Sequence, residues 1–192
     1  MSTLGMAWPE CESRDARPRW SAARGFTLME LMVVMALIAI LVAVAFARYS
    51  RAKISGSEAS ALASLRTIAE AEWSFAQTCG NQKYAPTLVA LGQPVPATGE
   101  GFLSPDLTSG ETIEKSGYTL HLTAAPAAGA PAACNGAAVA DGFAATADPT
   151  RPGATGIRYY GVNAGRVLYQ DTRTFTGNLP ENGAPGHGTE VR

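Results

Sequence analysis

The stretch that decides the architecture of this chain is "RGFTLMELMVVMALIAILVAVAFA", residues 24–47. Glu30 is the only charged residue between Arg24 and Arg48. As a helix, residues 26–47 rise by roughly 33 Å, which matches the hydrocarbon thickness of a bilayer. The run therefore predicts a membrane-spanning helix that carries one carboxylate near its start. Moving an ionised carboxylate from water into hydrocarbon costs free energy, so the presence of Glu30 in this run indicates a functional role.

The polar segment before this run changes charge along its length. Its acids come early, and three arginines then precede the apolar run without further acid: Arg17, Arg19 and Arg24. Basic residues ahead of an apolar helix favour a cytoplasmic N-terminus. The sequence therefore predicts a single-pass anchor, with everything after Arg48 outside the cytoplasm.

Helical character is predicted to continue well beyond the membrane run. Hydrophobic residues recur at steps of three and four, together with one acid, and the stripe consists of Leu62, Leu65, Ile68, Ala69, Glu72, Phe75 and Ala76. No proline interrupts residues 26–79, whereas "CGNQ" at 79–82 ends the pattern with a glycine. We therefore expect one long helix, with a membrane half at 26–47 and an amphipathic half at 48–79.

The remainder of the chain reads as a small β-rich head, residues 80–175. Most of the 20 glycines and 12 prolines lie there. "APTLVALG" (85–92) predicts a short helix, and "YTLHLT" (118–123) predicts a strand by its alternation. "GFAATA" (142–147) suggests another strand, and "GIRYYGVNAGRVLYQD" (156–171) predicts a hairpin that turns at Gly165. The Gly-, Pro- and Asn-rich tail, residues 176–192, is expected to be loose.

"RGFTLMEL" resembles the type III signal of prepilins and pseudopilins, in which a basic leader ends in Gly before Phe-Thr-Leu-x-Glu and an apolar helix. The match covers Gly25, Phe26, Thr27, Leu28 and Glu30. The resemblance implies an α+β pilin fold, in which a long N-terminal helix packs on a small antiparallel sheet. It also implies a structural, non-enzymatic role in a type IV pilus or in the pseudopilus of a type II secretion system.

Individual residues take roles from this resemblance. Residues 1–25 would be a leader that prepilin peptidase removes after Gly25. Phe26 would become the N-terminus and be N-methylated. Glu30 would neutralise the new terminal ammonium of its own chain or of a neighbour, and would thereby set the register of assembly.

The resemblance also implies partners and a route through the cell. The precursor would sit in the inner membrane with its head in the periplasm. It would meet the peptidase and an inner-membrane assembly platform, and would then join a homopolymeric or mixed filament in the periplasm or outside the cell. The alternative from a different class is a signal-anchored periplasmic binding domain that never polymerises.

Three cysteines, Cys11, Cys79 and Cys134, are an awkward number for an exported chain. Cleavage after Gly25 removes Cys11 and leaves an even pair in a compartment where disulfides persist. We therefore predict a Cys79–Cys134 bridge, with two free thiols as the alternative.

Other chemistry finds little support in the sequence. A formal net charge of −1 gives no electrostatic footprint for nucleic acid, and no phosphate-binding loop is present. His121 and His187 are both expected to be solvated, so no catalytic triad is predicted. No cofactor is predicted; calcium is a possible ligand in this family, with Asp141 or Asp148 as candidates, although no calcium-loop spacing is present.

A further cluster, in the hairpin, has more than one interpretation. Tyr159, Tyr160 and Tyr169 lie close together in the sequence. Packing in or on the sheet is the expected role. Adhesion and electron hopping are the alternatives.

Overall fold

The computed structural model describes residues 25–191, so the leader predicted for residues 1–25 lies outside it apart from Gly25. Cys11 and the arginines at 17, 19 and 24 also lie outside the described residues. The described residues fall into two units, which divide between Ala43 and Val44. A single helix, α1 (Leu28–Thr78), belongs to both.

Within the second unit, α1 is amphipathic as predicted. Its buried side chains include Leu65, Ile68 and Phe75, each fully shielded from solvent. Glu72 lies in the same stripe and is also fully buried. The helix continues through Gly56, where the sequence "SGSEAS" weakens but does not break it.

A six-stranded antiparallel sheet forms the rest of the head, with the strands in chain order. They are β1 (Thr112–Lys115), β2 (Tyr118–Thr123), β3 (Ala144–Pro149), β4 (Tyr159–Asn163), β5 (Leu168–Asp171) and β6 (Thr189–Glu190). A short helix, α2 (Leu88–Gly92), and a 3-10 turn (Pro105–Leu107) lie between α1 and β1. The predicted α+β class, a long helix with an antiparallel sheet, is confirmed.

Alternation along the strands gives the sheet two different faces. Tyr118, Leu120 and Leu122 of β2 are buried, as the alternation of "YTLHLT" predicts, and they belong to the same core cluster as the α1 stripe. A second, smaller cluster consists of Ala144, Tyr169, Phe175 and Leu179. The chain after β5 therefore covers a second apolar surface.

The expectation of a loose tail is wrong for its described part. β6 pairs with β5, and Leu179 is buried in the second cluster. Asn163, itself fully buried, donates through Nδ2 to the carbonyl oxygens of Pro180 (3.0 Å) and Gly183 (2.6 Å). Glycine and proline content indicates irregular backbone, but irregular backbone can still pack when side chains such as these satisfy its polar groups.

The hairpin between β4 and β5 forms, but its turn differs in detail from the prediction. Arg166, not Gly165, takes the left-handed conformation, with φ of 59°. The Asn163 carbonyl accepts from the Arg166 N–H (2.8 Å), and the Asn163 side chain accepts from the Gly165 N–H (3.1 Å). The Arg166 guanidinium lies 5.1 Å from the Trp73 ring centroid, a cation–π contact that contributes to holding this turn against α1.

Candidate functional site

The N-terminal end of α1 is the candidate processing and assembly site, and Thr27 defines where the helix begins. Its Oγ1 accepts a hydrogen bond from the Glu30 backbone N–H (3.1 Å), and its carbonyl accepts from the Leu31 N–H (3.2 Å). A threonine that caps the third helical residue in this way satisfies a backbone donor that the helix itself leaves unpaired. Sequence reasoning gave Thr27 no role beyond the motif, although the Thr-x-x-Glu spacing is a capping signal.

Glu30 lies in the first turn of α1 and is exposed. Carboxylates are favoured there because the helix dipole places partial positive charge at the N-terminus. The same location puts Glu30 one turn after Phe26, whose side chain is 79% exposed. The carboxylate is therefore available to a cationic partner beyond the helix itself.

Gly25 has no structural requirement that explains its identity. An added Cβ would meet no atom of residues 25–191 within 4 Å, and its φ is not in the left-handed region that favours glycine. Its position is also exposed. A larger residue would therefore fit at this position, and any demand for glycine comes from something that binds the chain.

The surface of α1 that follows is apolar on every side. Thirteen large hydrophobic residues between Leu28 and Phe46 are exposed: Leu28, Met29, Leu31, Met32, Val33, Val34, Met35, Leu37, Ile38, Ile40, Leu41, Val42 and Val44; Phe46 is a further one. By length and composition the helix can cross a membrane. A helix that is hydrophobic all round is stable only when lipid or other helices surround it.

Comparison with known families gives a match to the prokaryotic N-terminal methylation motif over residues 20–46. The matched segment contains Gly25, Phe26 and Glu30 and the greater part of the apolar run. Over this segment, about a seventh of its length, the chain is similar to the N-terminal part of type IV pilins and pseudopilins. No curated protein and no solved structure gives a significant match.

The predicted disulfide is present. Cys79 and Cys134 are bonded, and the Cys134 N–H also donates to the Cys79 carbonyl (3.0 Å). The bridge joins the residue after the end of α1 to the loop between β2 and β3. That loop, rich in alanine and glycine, gains a fixed point at its centre.

The two histidines differ in their surroundings. His121 is half-buried on β2. The prediction that His187 is solvated is wrong. Its ring stacks on Phe175 with a centroid distance of 4.9 Å, and its Nδ1 lies 2.7 Å from Asp171 Oδ2. This hydrogen bond to His187 lowers the pKa of Asp171 below its ordinary value. Both contacts come from the packing of the tail, which local sequence does not reveal.

The calcium candidates are not brought together. Asp141 precedes β3 and pairs with Lys83, whereas Asp148 lies near the other end of β3 and accepts from Thr174 Oγ1 (2.6 Å). Among residues 25–191, no three acidic, histidine or cysteine side chains form a metal-binding group. The two aspartates therefore have separate partners, and binding of calcium by either one stays a prediction.

The three hairpin tyrosines do not form one cluster. Tyr160 is buried in the main core, where its ring centroid lies 6.0 Å from that of Tyr118. Tyr169 belongs to the second cluster with Phe175, and Tyr159 is partly buried against that cluster. Strand alternation separates neighbours in sequence onto opposite faces, and all three tyrosines have packing roles.

Glu72 is an acid buried in the core. The sequence pattern placed it in the buried stripe of α1 but did not explain why an acid lies there. Its Oε2 accepts from the Ala85 N–H (2.8 Å), whereas Oε1 has no hydrogen-bond partner among the described residues. Loss of hydration on burial raises the pKa of Glu72 to about 8, and the Ala85 hydrogen bond only partly opposes this. Glu72 is therefore largely protonated at neutral pH.

Proposed function

We propose that this chain is a prepilin that is cut between Gly25 and Phe26 and then N-methylated on Phe26. The mature chain would have 167 residues, from Phe26 to Arg192. The observation that carries this proposal is the methylation motif at residues 20–46, which leads directly into a helix with an exposed apolar surface. The glycine that the fold does not require at position 25 supports recognition by a prepilin peptidase.

The mature protein then polymerises through α1, after the inner-membrane assembly platform draws it from the bilayer. An all-apolar helix leaves lipid at little cost only when other apolar helices replace the lipid. Cleavage creates a terminal ammonium on Phe26. Among the apolar helices of a filament this positive charge would be stabilised by a nearby negative charge, and the carboxylate of Glu30 supplies one. Pairing with a neighbour's ammonium would make only one axial register favourable.

The filament is either a type IV pilus or a type II secretion pseudopilus, and the chain acts in it as a structural subunit. A retraction ATPase encoded beside this protein would favour the pilus. An outer-membrane secretin with secretion genes would favour the pseudopilus. The competing function is a membrane-anchored periplasmic binding domain that remains a monomer.

Replacement of Gly25 separates a prepilin from a plain anchor. A Gly25→Val variant should stay uncut at full length and should form no filaments, because the peptidase no longer accommodates the residue before the cut. Gly56→Ala is the matched control: it is also an exposed glycine whose added Cβ meets no atom within 4 Å, and it should be processed normally.

Intact-mass measurement of the membrane and sheared-filament fractions gives the answer. The unmutated chain should lose its first 25 residues and gain one methyl group. A mature N-terminus anywhere after residue 45, or a Gly25→Val variant that matures and functions like the unmutated chain, would exclude the prepilin function and favour the anchored binding domain.

A further inference from the structure

A pocket of about 320 Å³ lies in the head, on the face of the sheet that the chain after β5 covers. β2 and β3 form one wall, and the chain after β5 forms the other. The polar side chains that line it are His121, Thr123, Thr146, Thr176 and Glu181. Its volume falls at the lower end of the range that small-molecule sites occupy.

The register of the sheet brings the polar side chains of the first wall together. His121 lies directly opposite Thr146 on the neighbouring strand, and Thr123 lies directly opposite Ala144. Residues directly opposite one another in an antiparallel pair share a face. The alternation that turns the apolar residues of β2 into the main core therefore turns His121 and Thr123 toward this pocket.

Hydrogen bonds fix the second wall. Glu181 Oε1 accepts from the Ala125 N–H (2.6 Å), and the Glu181 backbone carbonyl accepts from the Ala164 N–H (3.1 Å). The hydroxyls of Thr146 and Thr176 lie 2.9 Å apart, and this hydrogen bond joins the two walls. The pocket is therefore held in shape by the folded head.

Hydrogen-bond acceptors outnumber donors in this pocket. Glu181 Oε2 and the His121 ring form no hydrogen bond within residues 25–191, and a neutral imidazole has one donor and one acceptor nitrogen. The Thr123 hydroxyl gives its proton to the Ala144 carbonyl (3.5 Å), so its oxygen can only accept from a ligand. The Thr146–Thr176 pair retains a single free proton. A matching ligand must therefore bring several donors of its own.

Charge and apolar surface narrow the class of ligand further. Among the described residues that line the pocket, Glu181 is the only one with a full charge when histidine is neutral. Leu179 and Phe175, both buried in the second cluster, add an apolar lining. An ammonium group on a methylene chain carries one positive charge, three donors, no acceptor and an apolar stem. It meets each of these requirements.

We propose that this pocket binds a primary alkylammonium group. Glu181 Oε2 supplies its counter-charge, the Thr123 hydroxyl oxygen accepts a further hydrogen bond, and Leu179 lies beside the methylene chain. A lysine side chain of another protein and a free diamine both present this group. The site involves neither cleavage after Gly25 nor polymerisation through α1, so it adds a binding function to the proposed one.

The test measures binding to the full-length chain in detergent by isothermal titration calorimetry. The first probe is N-acetyl-lysine methylamide, and the second is N-acetyl-norleucine methylamide, which has the same methylene chain without the ammonium. The lysine probe should bind at least about tenfold more tightly, because only it forms charge-assisted hydrogen bonds to the carboxylate.

Variants of two lining residues locate the site. Glu181→Gln keeps an oxygen for the Ala125 N–H but loses the charge, so the affinity for the lysine probe should fall about tenfold or more. Glu190→Gln is the matched control, since it removes an exposed acid of the same tail that does not line the pocket. Thr123 is exposed, so Thr123→Val should fold normally and should lower the affinity about threefold or more. Thr119→Val, two residues earlier on β2, should not.

Three results would overturn the proposal: no binding of the lysine probe, equal binding of the two probes, or an affinity that neither Glu181→Gln nor Thr123→Val changes. Cadaverine then separates the two sources of the ammonium group. Tighter binding of cadaverine than of the lysine probe would support a free diamine, and the reverse would support a lysine of another chain. The mass of the processed chain is unaffected by any of these results, so this inference and the proposed function can fail separately.

Discussion

At the scale of single residues, Glu72 shows how burial changes the chemistry of a group. Its carboxyl is fully buried, and the Ala85 N–H is its single hydrogen-bond donor within the described part of the chain. The uncharged form avoids most of the cost of burial, so the folded protein binds the proton more tightly than the unfolded chain does.

This difference predicts that the head loses stability as the pH rises. Between the ordinary pKa of 4.5 and the folded-state pKa of about 8, the folded state keeps a proton that the unfolded state has released. In that window the free energy of unfolding should fall with pH, by about 1.4 kcal/mol per pH unit at the steepest. Below the window, and again above it, Glu72 contributes no slope.

Chemical denaturation at a series of pH values measures this slope. Glu72→Gln keeps an oxygen that can accept from Ala85 but cannot ionise, so the variant should lose the slope between about pH 5 and pH 8. Glu70→Gln is the control, because Glu70 is exposed on the same helix and should leave the slope unchanged. Equal slopes in the unmutated chain and Glu72→Gln would show that Glu72 is ionised in the folded head.

Residue-scale detail was the hardest to predict from the sequence. The methylation motif and the cysteine pair were recognisable because their signals are local or depend only on parity. The partners of His187 and the left-handed conformation of Arg166 were not, because Asp171 and Phe175 meet His187 only when the tail packs, and Arg166 meets Trp73 only when the hairpin lies on α1.

At the scale of elements, α1 combines two helices with different surroundings. Its first part is exposed and apolar, and from Ala61 onward its buried stripe belongs to the main core. Sequence periodicity predicted both parts, because each follows directly from the spacing of apolar residues. β1 and β6 were missed, since strands of four and two residues carry almost no periodicity and depend on their neighbours for pairing.

Glu30 gives a prediction for this helix as an assembly element. Glu30→Ala should leave membrane insertion and cleavage intact, because Thr27 still caps the helix through the backbone N–H of residue 30. Filament yield should fall on the order of tenfold or more, because a charge left unpaired in an apolar surrounding is strongly destabilising. Sheared-cell fractions, normalised to processed subunit, provide the measurement.

Two variants make this test specific. Glu30→Gln keeps the size and most of the polarity of the side chain but not its charge, so it should fail almost as badly as Glu30→Ala. Glu70→Ala removes an exposed acid outside the apolar run and should assemble normally. A normal filament yield from Glu30→Ala would remove the role in assembly and leave Glu30 as a helix-terminal acid only.

At the scale of the whole molecule, the Cys79–Cys134 bridge limits how far the head can unfold. It closes a loop with a sequence separation of 55 residues, which includes α2, β1 and β2. For a loop of this length the chain-entropy model gives a stabilisation of roughly 4 kcal/mol. Domains of this size have a net stability of only about 5–15 kcal/mol, and many core positions here hold alanine, so the bridge supplies a large share.

Cys79→Ser, Cys134→Ser and the double variant should therefore lower the thermal midpoint of the head by the same amount, roughly 10 °C or more. The three should agree because each removes the same bond. Reductant should lower the midpoint of the unmutated protein to a similar value and should not affect the variants.

Cys11→Ser should have no effect on the exported protein, because Cys11 lies in the leader proposed to be removed. Thiol labelling of exported, denatured and unreduced protein provides a direct check: both cysteines reacting would show that the bridge does not form in the cell, and the parity argument for leader removal would then lose its support.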